Sequence, residues 1–273
     1  MSVARIKTIV IGALFLLNVF FFAVIIIDNT ADARSARQAI EKSCTIVQQN
    51  GITIDPDDVK TGGGIRTKRT ARDTATEEII ARSVLGATNM TDLGVISLYE
   101  NPERGTARFY SGGDFEISLH EGVITNSGGT QKTVQKILRD MKLETTALNV
   151  STGTDGETAT AVCRHENARV FNCPIEFVFT GDSLKTIKGR YVAGFEVVED
   201  RRSISQVGTA LLGFLAWADD EDLNCRHIFS VEAGYQHRIV GSFGEGVIVP
   251  AWLIITDKGQ FIIDDETGEV RLF

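Results

Sequence analysis

GVISLYENPERGTARFYSGGDFEISL, residues 94–119, holds three short β-type runs, 94–99, 105–110 and 115–119, separated by Asn101-Pro102-Glu103 and by Ser111-Gly112-Gly113-Asp114. Asn-Pro and Gly-Gly dipeptides punctuate the chain as turns, and runs this short joined by turns this tight fold back on one another as an antiparallel sheet. A helix follows, because Val134, Ile137, Leu138 and Met141 place an apolar stripe along about residues 130–143, suited to lie across that sheet. Just before the sheet, Thr74-Ala75-Thr76-Glu77 has capping-box spacing ahead of Ile79, Ile80 and Val84, and Gly86 marks the end of that helix.

The plan recurs downstream. Strands are expected near 157–164, 170–180 and 186–198, then a helix capped by Ser203-Ile204-Ser205-Gln206 with the stripe Ile204, Val207, Leu211 and Leu215. Further strands follow near 227–240, 247–256 and 260–264. Strands then helix, twice over, predict an α+β fold of antiparallel sheets packed with helices, in two related modules at 74–150 and 151–273. Ahead of them lies a segment 28–73. Its Ala36, Ile40, Cys44 and Val47 recur at helical spacing, so 31–49 reads as a stalk helix, and 55–73, with Pro56 and Gly62-Gly63-Gly64, reads as a polar connector.

At the other extreme from this polar connector, residues 9–27 form a run of 19 residues with no charge, rich in Leu, Ile, Val and Phe. As a helix the run covers roughly 28 Å, close to the hydrocarbon thickness, and it has no periodic polar face of the kind a buried core helix keeps. Residues 1–27 therefore read as a short cytoplasmic stub and a single transmembrane helix. Ala31-Asp32-Ala33 resembles a cleavage site, but the apolar run exceeds the 7 to 15 residues usual in a signal peptide. Arg5 and Lys7 sit directly against the N-terminal end, whereas Asp28 and Asp32 come first on the other, which puts the N-terminus in the cytoplasm and 28–273 outside. Without its first 27 residues the chain has 26 basic against 36 acidic side chains, a net −10 that argues against a nucleic-acid partner. Asn18, mid-span and flanked by Phe15 and Phe22, either contacts a partner helix or bonds its own preceding turn.

Motifs of known chemistry are wanting. Thr61-Gly62-Gly63-Gly64-Ile65 lacks a phosphate-loop ending, Gly241-Ser242-Phe243-Gly244-Glu245-Gly246 runs into a strand, and neither GxSxG nor HExxH occurs. Cys163-Arg164-His165 and Cys225-Arg226-His227 are copies of one triplet, each with Cys and His on one face of a strand. Cys-x-His is not a usual zinc spacing and extracytoplasmic thiols oxidise readily, so no metal or other cofactor is expected. A hairpin with a three-residue tip at Asn167-Ala168-Arg169 would set Cys163 opposite Cys173, where a disulfide is sterically allowed; small buried thiols are the alternative. Arg66, Lys68, Arg69 and Arg72 form a basic cluster and Asp219-Asp220-Glu221-Asp222 an acidic one, read as a solvated loop and a solvated turn, with a phosphate-rich wall polymer or an acidic partner as the other use of the bases.

Two stretches carry a family resemblance: Arg5-Ile6-Lys7-Thr8-Ile9 leading into Phe15-Leu16-Leu17-Asn18-Val19-Phe20, and Pro250-Ala251-Trp252-Leu253-Ile254-Ile255-Thr256 with Gly259 and Asp264-Asp265-Glu266-Thr267-Gly268-Glu269-Val270. The combination resembles the YycI-type regulatory proteins, relatives of YycH, that accompany the WalK/WalR two-component system of Gram-positive bacteria. The resemblance implies one membrane span, an extracytoplasmic domain of PepSY-like modules whose Asp-x-x-Thr-Gly turn is a hairpin, and no catalysis. It further implies a sensor histidine kinase as partner, alongside a paralogous regulator, with Asn18, Phe15 and Phe22 on the contacting helix. The competing expectation is a PepSY-like inhibitor or chaperone of a protease or cell-wall enzyme.

Overall fold

The computed structural model describes residues 35–62, 64–154, 156–197, 204–241 and 245–273. Helix α1 (35–49) is followed by a 3₁₀ turn at Pro56–Asp58 and by two short strands, β1 (Val59–Lys60) and β2 (Lys68–Thr70). Helix α2 (Thr74–Leu85) leads into the meander β3 (Asn89–Asp92), β4 (Ile96–Asn101), β5 (Gly105–Tyr110) and β6 (Asp114–Leu119). Helix α3 (Thr130–Asp140) precedes β7 (Asn149–Thr152), β8 (Glu157–His165), β9 (Ala168–Thr180), β10 (Ser183–Arg190) and β11 (Glu196–Val197). Helix α4 (Val207–Asp220) is followed by β12 (Ile228–Ile239), β13 (Gly246–Thr256), β14 (Gly259–Asp264) and β15 (Val270–Leu272).

The α2 start lies one residue earlier than the capping box places it. Asp73 is the cap, accepting from the Ala75 amide at 3.0 Å and the Thr76 hydroxyl at 2.6 Å. That frees Glu77 to turn inward, where it is fully buried. Its carboxylate takes Arg72 Nε at 2.7 Å and Nη2 at 3.3 Å, and the Tyr191 hydroxyl donates to it at 3.1 Å. Arg72 also reaches the Gly94 carbonyl at 2.6 Å and the Ser97 hydroxyl, tying α2 to the β3–β4 turn. Burial pushes the Tyr191 hydroxyl well above its ordinary range, reinforced by Glu77 beside it.

Ile80, Ala81, Val84 and Leu85 of α2 meet Val134, Ile137 and Leu138 of α3, and with Phe109, Phe115 and Ile117 from the sheet they form the core. Each large side chain so buried contributes roughly 1.5–3 kcal/mol. Helix α1 is packed rather than free-standing, with Cys44 and Val47 in the same core. Helix α4 lays Phe214 and Trp217 on Phe261 of β14, at ring separations of 5.4 and 5.2 Å.

The expected fold class is corrected by the strand pairing. Among the described residues all 15 strands join one mixed sheet, with a main path β11-β2-β13-β12-β9-β10-β6-β5-β4-β3. Strand β1 pairs parallel to β12 (Val59 with Val231), and β9 also runs parallel to β12 through Tyr235 and Val170. The description as antiparallel sheets fails because β1 and β9 both run parallel to β12, and parallel neighbours need a crossover connection, which between β9 and β12 includes α4. Alternation of apolar residues reports that a strand is half-buried, not which way its neighbour runs. Strand β2, inside the expected connector, pairs with β13 (Lys68 with Ile248), and β11 pairs with β2. Four α-helices are present among the described residues, and none of them is long and apolar enough to cross a membrane. Residues 9–27, with Asn18, Phe15 and Phe22, lie outside the described residues.

Candidate functional site

The tip of the β8–β9 hairpin organises a cleft lined by polar and aromatic side chains. His165 pairs with Ala168, leaving a two-residue loop, Glu166-Asn167, with φ of +47° and +67°. Positive φ at both positions is the twist-matched turn of a tight hairpin; Asn accepts it readily and Glu less so. What holds Glu166 there is an ion pair with Lys68 of β2, whose side chain is 9% exposed. Lys68 Nζ also lies 2.9 Å from His165 Nε2. An ammonium offers only donors, so Nε2 accepts and the ring proton sits on Nδ1.

Burial, then the adjacent Lys68, holds His165 below the usual imidazole range, while the Lys68 hydrogen bond lowers Glu166. The imidazole stacks on Phe195 at 3.7 Å between centroids and 25° between planes, with Tyr235 at 6.0 Å. Asp73, Glu144 and Gly194 complete the lining of a cleft of about 490 Å³. Cys163 lines its floor, but its thiol bonds the Arg190 carbonyl at 3.3 Å and burial raises it to about 12. A thiol that keeps its proton is not a nucleophile. The arrangement offers a flat ring and a carboxylate to something that binds, both held by the buried Lys68.

The two Cys-Arg-His triplets therefore differ in use. In the second, Asp257 Oδ1 takes the amides of Arg226 and His227 at 3.0 and 3.1 Å and the Cys225 thiol at 3.4 Å, while the His227 ring packs on Phe229 at 4.5 Å. This is a turn-stabilising cap. Among the described residues no group of three or more His, Cys, Asp or Glu side chains is placed to hold a metal. Cys163 and Cys173 are both free, buried thiols. The shorter tip is one reason. The pairing also slips between Val162 opposite Pro174 and Arg164 opposite Arg169, so the ladder is broken at the very place where the three-residue tip would have aligned the cysteines.

The basic cluster is divided by the fold. Lys68 is buried against His165 and Glu166 and Arg72 is locked on Glu77, while Arg66 and Arg69 remain exposed. The cleft was missed in sequence because its parts come from the start of α2, the segment after α3, the β8–β9 tip and the segment before β11. The doubled triplet was the available signal, and it pointed to His165 without its lysine.

A second surface is the edge of the sheet at β3. All four residues of β3 are exposed, and the strand pairs only with β4 among the described strands. Met90, Leu93 and Val95, 46%, 62% and 50% exposed, flank that edge. Unpaired main-chain groups beside apolar side chains are a template for another strand.

No protein-family model matches the chain, and the sequence of no curated protein matches it. Two solved structures are similar to it. One is an uncharacterized protein from Eubacterium rectale, at TM-score 0.49 and 10% identity, covering 77% of this chain and 85% of that one. The other is the C-terminal domain of YpeB from Bacillus megaterium, at TM-score 0.37 and 11% identity, covering 75% of this chain and 99% of that domain.

Proposed function

We propose that this chain is a non-enzymatic regulator that binds another protein outside the cytoplasm, is held at the cell membrane by residues 9–27, and has a sensor histidine kinase as its partner. The observation that supports protein binding is the open β3 edge with Met90, Leu93 and Val95 beside it. A partner strand laid there gains main-chain hydrogen bonds along β3 and apolar contacts on alternate residues. The choice of kinase, and of a paralogous regulator as companion, draws on the YycI-type resemblance of the two terminal stretches. Regulation then requires that the partner's two states bind this edge or the membrane segment with different affinity.

The second reading is a PepSY-like inhibitor or chaperone of a protease or cell-wall enzyme. It is favoured by the Asp264–Gly268 turn, which forms the hairpin between β14 and β15, with Asp264 Oδ1 accepting from the Glu266 and Thr267 amides at 2.9 and 3.1 Å. Crosslinking in native membranes from a photoreactive residue at position 90 or 95 tests both. Kinase enrichment, lost when 9–27 is exchanged for an unrelated apolar segment and reduced by Val95→Glu, is the expected result. Recovery of a protease or wall enzyme that ignores the exchange supports the second reading, and yields indifferent to Val95→Glu remove the β3 edge from either.

A further inference from the structure

Arg164 of β8 and Arg169 of β9 stand directly opposite one another across the hairpin ladder. Like charges in that relation repel and cost stability unless something neutralises them. Only part of that is supplied internally. Arg169 Nη1 lies 2.9 Å from Glu232 Oε2, and Arg164 Nη2 bonds the Asn167 carbonyl. The Nε of each arginine is buried with no hydrogen-bond partner. A buried, unpaired guanidinium N–H is an uncommon feature, and here it occurs twice at adjacent positions.

The third cation is Lys60 of β1, which faces Glu232 in the β1–β12 register. Lys60, Arg164, Arg169 and Glu232 line one concavity of about 530 Å³ together with Thr146, Asn149 and Thr160. Three bases and one acid leave it at +2, in a chain whose net charge is −8. We propose that this concavity is a binding site for a phosphate group. A phosphate monoester carries about −1.5 to −2 charges at neutral pH and three terminal acceptor oxygens, which matches both the local charge and the three cationic donors that line the concavity. The site is separate from the β3 edge, and the protein-binding proposal stands or falls without it.

The test is calorimetric titration of the purified full-length protein, in detergent and at low salt, with glycerol 3-phosphate, inorganic phosphate and malonate. Saturable binding of glycerol 3-phosphate is expected, weakening as salt is raised and falling roughly tenfold or more in Arg164→Gln. Lys60→Gln, at an exposed position, weakens it by several-fold, while Arg69→Gln, outside the concavity, leaves it unchanged. Tighter binding of the ester than of inorganic phosphate identifies an organic phosphate as the source, and equal binding identifies the free ion; either supports the site. Malonate binding as tightly as the ester, no saturable phosphate binding, or binding indifferent to Lys60→Gln overturns it.

Discussion

Removing the Glu77 carboxylate tests whether the α2 anchor works as an ion pair or as packing. Glu77 is fully buried, and its oxygens take two contacts from Arg72, which is 14% exposed, and one from the Tyr191 hydroxyl. Glu77→Ala leaves a buried guanidinium without its counter-charge and a buried hydroxyl without its acceptor, which together cost about 3–5 kcal/mol. Tyr191→Phe deletes one hydrogen bond to a charged group and costs about 1.5–3 kcal/mol. In urea unfolding followed by far-UV circular dichroism, with a slope near the top of the usual range of about 1–3 kcal/mol/M, Glu77→Ala lowers the midpoint by about 1–2 M. Glu77→Gln falls between the two, since it keeps the shape and loses the charge. A Glu77→Ala midpoint within about 0.3 M of wild type, or one no lower than that of Tyr191→Phe, refutes the ion-pair reasoning and leaves packing alone to hold α2.

Further outcomes are expected from other sites. His237 is buried, and burial, then nearby Arg190, lowers its imidazole from 6.5 to about 4. The folded state therefore resists protonation that the unfolded state accepts, so this contribution is complete above pH 6.5 and is lost as pH falls through about 4. The loss approaches about 3 kcal/mol, measured as a pH slope of unfolding free energy that flattens in His237→Asn. All four cysteines are free and buried, so thiol titration returns four equivalents in denaturant and close to none in native buffer. Two equivalents in denaturant would establish a disulfide instead. Gly105 has φ of +137°, and a Cβ there would land on the Ser118 carbonyl, so Gly105→Ala opens the β5–β6 pairing and lowers the melting temperature by several degrees.

Segments that are locally periodic were legible from the sequence. The run 94–119 became β4, β5 and β6 with their turns in place, and the stripe Val134, Ile137, Leu138, Met141 faces the core from α3 and its cap. Where a residue's setting is made by distant chain, local reading failed. Lys68 looked like a loop base, yet it is buried because β2 pairs with β13 and because Glu166 and His165 come to meet it. Glu77 looked like half of a capping box, yet Arg72 and Tyr191 draw it inward. The parallel neighbours of β12 left no mark in residue alternation, since direction is set by the connection between strands. The candidate cleft shares this difficulty, its lysine and histidine being 97 positions apart.

The pairing of β2 with β13, Lys68 against Ile248, has a consequence for how the chain is made. At about 5–20 residues per second, the ribosome takes roughly 10–40 s to supply the intervening segment. Throughout that interval β2 has no partner on its β13 side. Closing so long a loop also carries an entropic penalty that only the finished C-terminal hairpins offset. A chain stalled before β13 would thus present the β13-facing edge of β2, and that of β12, unpaired to any chaperone at hand.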